Sequence, residues 1–257
     1  MYKKRYGQNF LINNNISKKI LFEEKITNQD ILEIGTGNLA LTKLIVAKKP
    51  KKFIGIEVDT DMRDVYLQNN ILDNIIFEDA LSVNERKLFQ NGNFSIISNL
   101  PFNISSELII KWCKIQCLYK CINSMTLMFQ KELAERIIAK KNTKKYGRLS
   151  ILCSAFFLIE EKLKVSKNNF FPKPKVDATV LKFIPYKENK IKSNNFTTLE
   201  KLTRIFFNER RKKNKKKIIK VFSDDQILEY NLKRFYDLRP ENLDNKVFFE
   251  LCDILKL

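Results

Sequence analysis

Buried-looking apolar runs and amphipathic segments alternate along the first half of the chain. After a polar arm, Ser17 to Lys25 has helical spacing, Asp30 to Gly35 (DILEIG) reads as a buried strand, and Leu39 to Ala47 returns to helical spacing. Lys52 to Val58 (KFIGIEV) then reads as a strand, Asp61 to Asn69 as a helix, Ile75 to Glu78 as a short strand, and Phe94 to Ser98 (FSIIS) as another buried strand. Strands and helices of this length in strict alternation predict a mostly parallel sheet with helices on both faces.

The second half is less regular. Ser124 to Phe129 predicts a strand, Gln130 to Lys140 a helix and Ala178 to Ile184 (ATVLKFI) a strand, while periodicity does not separate helix from strand over Leu149 to Phe157. Phe170 to Lys175 (FFPKPK) is expected to be a loop, because its two prolines remove amide donors and restrict the residues before them. Pro185 to Asn195 is polar and lysine-rich, as a linker would be. Only helical patterns follow: Leu199 to Phe207, the basic stretch Arg210 to Lys220, Ser223 to Leu228, and Asn245 to Leu255. The expected architecture is an α/β, doubly wound, Rossmann-like domain over residues 1–188 with a small C-terminal all-helical domain over 189–257.

Composition narrows the chemistry. With 257 residues and 44% hydrophobic content, the chain can bury a full core with material left for a small second domain. The longest near-apolar run, Ile151 to Ile159, is far short of the ~20 residues that span a bilayer. Met1 to Phe10 is basic and polar without a signal-peptide core, so a cytoplasmic protein without a membrane partner is expected. The formal charge of +19 fits a polyanionic partner, since each neutralised phosphate releases a counterion. The 38 lysines against 10 arginines, alongside many isoleucines and asparagines, also fit an AT-rich genome. Histidine is absent, which excludes a Ser-His-Asp triad, a Cys-His pair and a histidine metal site. Cys113, Cys117 and Cys121 recur every four residues; on a helix they share one face, the pattern of reduced buried thiols rather than of a metal site.

Candidate chemistry gathers at the strand ends. The first predicted strand runs into Glu33-Ile34-Gly35-Thr36-Gly37, where glycines let backbone approach a ligand at the carboxyl edge of a parallel sheet. As a dinucleotide fingerprint this turn fails, because Leu39 and Ala40 stand where a third glycine belongs. The same geometry serves S-adenosylmethionine. Glu57, about twenty residues on at the end of the next strand, is placed to accept ribose hydroxyls, and Asp79-Ala80 after the third strand to accept from an adenine amino group. Asn99-Leu100-Pro101-Phe102 follows the fourth strand. There the Asn99 side-chain oxygen and the Leu100 or Pro101 carbonyl can accept both hydrogens of an exocyclic adenine amine, aiming its lone pair at a methyl donor, while Phe102 stacks on the unstacked base. Such chemistry needs no strong general base.

Gly7-Gln8-Asn9-Phe10-Leu11, the glycine turn, Glu57, Asp79-Ala80, Asn99 to Ser105 (NLPFNIS), Met128 to Glu132 (MFQKE), Tyr146 to Ser150 (YGRLS) and Phe171 to Asp177 (FPKPKVD) together resemble the ribosomal RNA adenine dimethyltransferases, nearly end to end. Three branches of that family are relevant: the small-subunit (16S) KsgA type, the Erm-type large-subunit resistance enzymes, and mitochondrial relatives that double as transcription factors. Phe206 to Lys212 (FFNERRK) and Leu238 to Leu243 (LRPENL) resemble signatures of the first, as does Asn103. The resemblance implies a class I methyltransferase domain using S-adenosylmethionine, held by Asn9, Leu11, Gly35, Gly37, Glu57, Asp79, Ala80 and Asn99. It implies catalysis by Asn99, Pro101 and Phe102, with RNA contacts from Arg148, Arg210, Arg211 and Lys212. The implied partner is 16S rRNA within the small ribosomal subunit, two adjacent adenosines near its 3′ end being dimethylated by a monomeric enzyme with a role in subunit biogenesis. A ribosome-assembly factor with secondary catalysis and the Erm type are the alternatives. The chain departs from the family at Phe102, where tyrosine is usual, and at Thr36 and Leu39, where proline and a small residue are common. Stacking survives the first change while any hydroxyl hydrogen bond does not, and the other two alter the shape of the turn without removing a ligand group.

Overall fold

The runs DILEI, KFIGIE and FSIISN become adjacent buried strands, because an apolar centre in each lets nearly every residue be buried with both faces of the sheet covered. A computed structural model describes residue 3 and residues 6–255; expectations for Met1, Tyr2, Lys4 and Arg5 in the arm, and for residues 256–257 at the end of the helical segment, lie outside the described residues. The chain runs β1 (Phe10–Leu11), α1 (Asn14–Ile20), β2 (Asp30–Ile34), α2 (Thr42–Ala47), β3 (Lys52–Glu57), α3 (Arg63–Gln68), β4 (Ile75–Phe77), α4 (Glu85–Leu88), β5 (Phe94–Asn99) and α5 (Ser105–Tyr119). It continues through β6 (Ile122–Gln130), α6 (Lys131–Ile137), α7 (Arg148–Ser154), β7 (Phe157–Val165), β8 (Phe170–Phe171) and β9 (Ala178–Pro185). Four helices close it: α8 (Phe196–Asn208), α9 (Lys215–Val221), α10 (Asp224–Glu229) and α11 (Asn245–Ile254).

Seven strands form one sheet in the order β4-β3-β2-β5-β6-β9-β7. The first five run parallel, and β9 and β7 close the edge antiparallel. Strand order reverses between β2 and β5. That reversal opens a crevice at the carboxyl ends of the two strands, which is where ligands bind in open α/β sheets. Among the described residues no helix is long and apolar enough to cross a membrane.

Several boundaries differ from the sequence expectation, each for a local reason. The first helix spans Asn14–Ile20 rather than Ser17 to Lys25, because Asn13 caps it by accepting from the Asn15 amide. The second starts at Thr42, since Leu39 sits at a φ of 65°, which a helix does not allow. Cys121 lies beyond α5, which ends at a left-handed Lys120, so the three cysteines do not share a helix face although all are buried. Phe170 to Lys175 is not wholly loop: Phe170 and Phe171 pair antiparallel with Leu11 and Phe10. Leu149 to Phe157 resolves into α7 followed by the start of β7. The basic stretch Arg210 to Lys220 is not one helix; α9 begins only at Lys215, after a turn held by the Lys217 ammonium, which donates to the carbonyls of Glu209 and Lys212.

The principal apolar cluster joins the sheet to the C-terminal helices. Leu149, Phe156 and Phe183 belong to the same buried group as Phe196, Leu199, Phe206 and Phe248. A second cluster on the other side of the sheet contains Leu11, Ile31, Tyr66, Met128 and Val180. Within the expected linker, Ile191 and Asn195 are buried, so that segment packs rather than spans.

Candidate active site

At the reversal point, four strand ends converge on one cavity of about 220 Å3. Ile34 ends β2 and the glycine turn follows it, Glu57 ends β3 before Val58, Glu78 to Ala80 follow β4, and Asn99 ends β5 before Leu100 and Pro101. The sequence-predicted residues Asn9, Gly35, Gly37, Glu57, Asp79, Ala80, Asn99 and Pro101 all line it. Leu11 and Phe102 do not. Leu11 is buried in β1, its carbonyl accepting from the Asn38 amide at 3.0 Å, and Phe102 is half-buried against the second apolar cluster. Arg148, Arg210, Arg211 and Lys212 stand apart, on α7 and on the turn after α8.

The glycine turn has no room for side chains. Gly35 adopts a φ of 70°, and a Cβ there would meet the Pro101 ring at 3.3 Å; Gly37 adopts 46°, and its Cβ would meet the Phe10 ring at 2.9 Å. The turn is thus clasped between the Pro101 loop and the N-terminal arm. Its charge anchor is Glu57. Oε2 accepts from the Gly37 amide at 3.0 Å and from the Tyr66 hydroxyl at 3.2 Å, and Oε1 accepts from the Asp59 amide at 3.0 Å. A carboxylate offers about four acceptor positions, so capacity remains for a ligand. Burial and the neighbouring Glu57 charge raise the Tyr66 hydroxyl above its ordinary range, which keeps it a neutral donor.

Below the turn lies Glu33, buried and accepting from Thr42 Oγ1 at 2.7 Å. Burial, reinforced by the Glu57 charge and only partly opposed by the Thr42 hydroxyl, pushes its carboxyl up to about 8. Two residues past Glu57, the buried Asp59 anchors the arm: Lys3 Nζ donates to Oδ1 at 2.6 Å and Gln8 Nε2 to Oδ2 at 2.7 Å. Burial opposes ionisation of Asp59, but these two hydrogen bonds outweigh it and hold the carboxyl below the usual range.

Asn99 terminates β5 and faces two ways. Its Nδ2 donates to the Asn9 carbonyl at 3.0 Å, fixing the arm, whereas its Oδ1 is buried and accepts no hydrogen bond among the described residues. A buried acceptor without a donor costs about 1–3 kcal/mol, so its retention points to a function. The Pro101 carbonyl already accepts from Ser105 Oγ at 2.8 Å and from the Ile104 amide at 3.3 Å. Asp79 uses Oδ1 to cap its own turn at the Leu81 amide, 2.9 Å away.

Sequence reasoning named the ligand-bearing strand ends but not the walls between them. Ile56, Val58, Glu78 and Ile104 line the cavity, as do Tyr6, Gly7, Gln8 and Phe10 of the arm. Gly7, Gln8, Phe10 and Ile104 belong to the motifs themselves, and the others adjoin a motif residue. Gly7 holds the arm close to the Asn99 loop: its φ is 64°, and a Cβ there would meet Asn103 Oδ1 at 2.6 Å.

Comparison with known proteins agrees with this geometry. The profile of a family described as ribosomal RNA adenine dimethylase matches residues 1–256. A ribosomal RNA small subunit methyltransferase A from Pelagibacter ubique is 40% identical over 250 residues, covering 97% of this chain and 95% of that protein. The protein of the same name from Mycoplasmopsis pulmonis is 35% identical, covering 97% of each chain. Among solved structures, a dimethyladenosine transferase from Plasmodium falciparum superposes with a TM-score of 0.75 at 28% identity over 94% of this chain and 95% of that one. The 23S rRNA methyltransferase ErmE superposes at 0.65 with 21% identity over 97% and 100% of the two chains, a likeness of fold. With one profile spanning the chain and relatives of this identity across its length, the protein belongs to the ribosomal RNA adenine dimethylase family.

Proposed function

We propose that the chain is the S-adenosylmethionine-dependent enzyme that dimethylates two adjacent adenosines near the 3′ end of 16S rRNA, working on the small ribosomal subunit and contributing to its biogenesis. One observation carries the chemistry: Asn99 Oδ1, a buried acceptor without a donor, at the end of β5 beside the cavity. An exocyclic amine brings the hydrogen this atom lacks.

The residues present suit the cofactor. The glycine cradle admits close backbone approach, Glu57 keeps acceptor capacity for two ribose hydroxyls, and Asp79 with Ala80 borders the place for an adenine. When bound, S-adenosylmethionine supplies an electrophilic methyl group. Asn99 Oδ1 accepts one hydrogen of the target amine, and the Leu100 carbonyl accepts the other, because that of Pro101 is already engaged by Ser105 and Ile104. Held at both hydrogens, the nitrogen keeps its lone pair directed away from the protein acceptors, and positioning supplies most of the rate. Phe102 lies next to these acceptors in the chain and gives the flipped base a stacking surface, offsetting part of the unstacking cost of a few kcal/mol.

In this reading residues 1–188 bind the cofactor and perform transfer, while residues 189–257 dock RNA through Arg210, Arg211 and Lys212, with Arg148 contributing from α7. The enzyme acts as a monomer in the cytoplasm. The test is methyl transfer from radiolabelled S-adenosylmethionine to small subunits lacking adenine dimethylation, with naked 23S RNA in parallel and nuclease mapping of the product. Dimethyladenosine in the 16S RNA alone is expected. Label in 23S RNA alone would assign the chain to the resistance branch, and tight subunit binding without label would make it an assembly factor.

A further inference from the structure

Outside the cavity, the described residues hold another buried charged network that reaches it. Lys111, in the middle of α5, sends its ammonium to the carbonyls of Ala80 at 2.8 Å and Val83 at 2.6 Å, and pairs with Glu85 Oε1 at 2.9 Å. Glu85 is 1% exposed, begins α4 and accepts at the same oxygen from Trp112 Nε1 at 2.9 Å. An ammonium has three protons. Two of Lys111's satisfy main-chain carbonyls of the segment that begins with Asp79 and Ala80, and the third is available to Glu85 at the start of α4.

Among the described residues, no other side chain donates to the carbonyls of Ala80 and Val83, whose own side chains lie in the principal apolar cluster. The segment contains no helix or strand between β4 and α4, and its own capping bonds are those of Asp79 to the Leu81 and Ser82 amides. Without the ammonium, two carbonyls on either side of Leu81 and Ser82 lose their donor, and the segment that carries Asp79 keeps polar anchors at its amide side alone, with Ala80 and Val83 still packed in the core. Trp112, adjacent to Lys111 and fully buried, fixes Glu85 and through it the height of the ammonium.

We infer that Lys111, held by Glu85 and Trp112, is a positioning residue that sets the adenine specificity of the cofactor site by fixing the Asp79-Ala80 segment. It touches neither cofactor nor substrate. The inference rests on the assignment of Asp79 as acceptor of the adenine amino group, and on the cavity lining that places Ala80 beside it.

Removing Lys111 alone would leave Glu85 as an unpaired buried charge and threaten the fold. The informative variant is therefore Lys111→Met with Glu85→Gln, in which both charges go and Trp112 keeps an acceptor. Calorimetry would compare S-adenosylhomocysteine with its inosine counterpart, in which a carbonyl replaces the amino group. The wild-type protein should prefer the adenine form by about tenfold or more, the scale of one hydrogen bond to a charged group. The double variant should bind the adenine form roughly tenfold more weakly and the inosine form almost as before, so that the preference collapses. A preserved ratio, with both affinities unchanged or both reduced alike, would overturn the inference and leave a plain structural ion pair. A wild-type protein without preference would instead remove the assignment of Asp79, and the inference with it. Lys111→Arg, which keeps charge and donors, should restore most of the preference.

Discussion

The Tyr66 hydroxyl donates to Glu57 Oε2 at 3.2 Å while accepting from Thr36 Oγ1 at 3.0 Å. Thr36 belongs to the glycine turn and its methyl lies over Gly55, where a Cβ would meet it at 2.5 Å. A residue that departs from the family's common proline is thereby held by a hydroxyl from α3, and one chain of hydrogen bonds joins the turn, the carboxylate and the helix.

Tyr66→Phe should accordingly weaken cofactor binding without touching the cavity wall. Loss of a hydrogen bond to a charged group corresponds to about 1.5 kcal/mol, or roughly tenfold in affinity for S-adenosylhomocysteine. Thr36→Val should cost less, and the double variant should be no worse than Tyr66→Phe, because both changes break the same chain of bonds. Additive losses by calorimetry would show that the two hydroxyls act independently.

The buried Glu33 makes stability depend on pH in a direction opposite to that of a salt-bridged acid. Its carboxyl is pushed up to about 8 in the folded protein from an ordinary 4.5. Between those values the folded state holds a proton that the unfolded state has released. Its stabilising contribution is therefore complete below the lower value, falls as pH rises, and is gone above the upper one, with a limiting slope of about 1.4 kcal/mol per pH unit. Glu33→Gln keeps an acceptor for Thr42 and should flatten this slope. Urea denaturation of both proteins across that window measures the difference, and parallel curves would refute it.

Asn99→Ala should abolish transfer, by about a hundredfold or more, while leaving the cofactor bound, because the side chain acts on the amine. Some weakening is expected from the arm, which loses the bond from Asn99 Nδ2 to the Asn9 carbonyl. Single-turnover methylation together with S-adenosylhomocysteine affinity separates the two effects. Wild-type turnover in this variant would eliminate the proposed positioning of the amine.

The parallel half of the fold was legible because its strands have compact apolar centres and end in glycine, acid or Asn-Leu-Pro-Phe, so each run carried both its structure and its ligand group. β7 was not legible. Its interior, LIEEKLK, has no buried residue, only the end residues Phe157 and Val165 being buried, and pairing with β9 rather than an apolar face defines it. β8 escaped notice because two residues pair only with a partner far away in the chain. Tyr66 reads as an ordinary core aromatic on an amphipathic helix, since sequence pattern reports burial and not the direction of a hydroxyl. Likewise the lysine-rich stretch suggested one helix, where a single buried lysine, Lys217, gathers main-chain carbonyls and forces a turn.

That turn divides the arginines expected to meet RNA. Arg210 donates to the Lys144 carbonyl at 2.7 Å and to Glu241 at 2.6 Å, pinning the turn to the loops before α7 and before α11, whereas Arg211 is exposed. Arg211→Ala should therefore leave the melting temperature unchanged, weaken RNA binding and lower the slope of log affinity against log salt by about one. Arg210→Ala should weaken binding and also lower the melting temperature, because two of the bonds that join these loops go with it. Binding to a helical fragment of 16S rRNA over a series of salt concentrations, alongside thermal melts, distinguishes them. If Arg211→Ala kept the full salt slope, the turn would be a structural joint and the RNA would lie elsewhere on the surface.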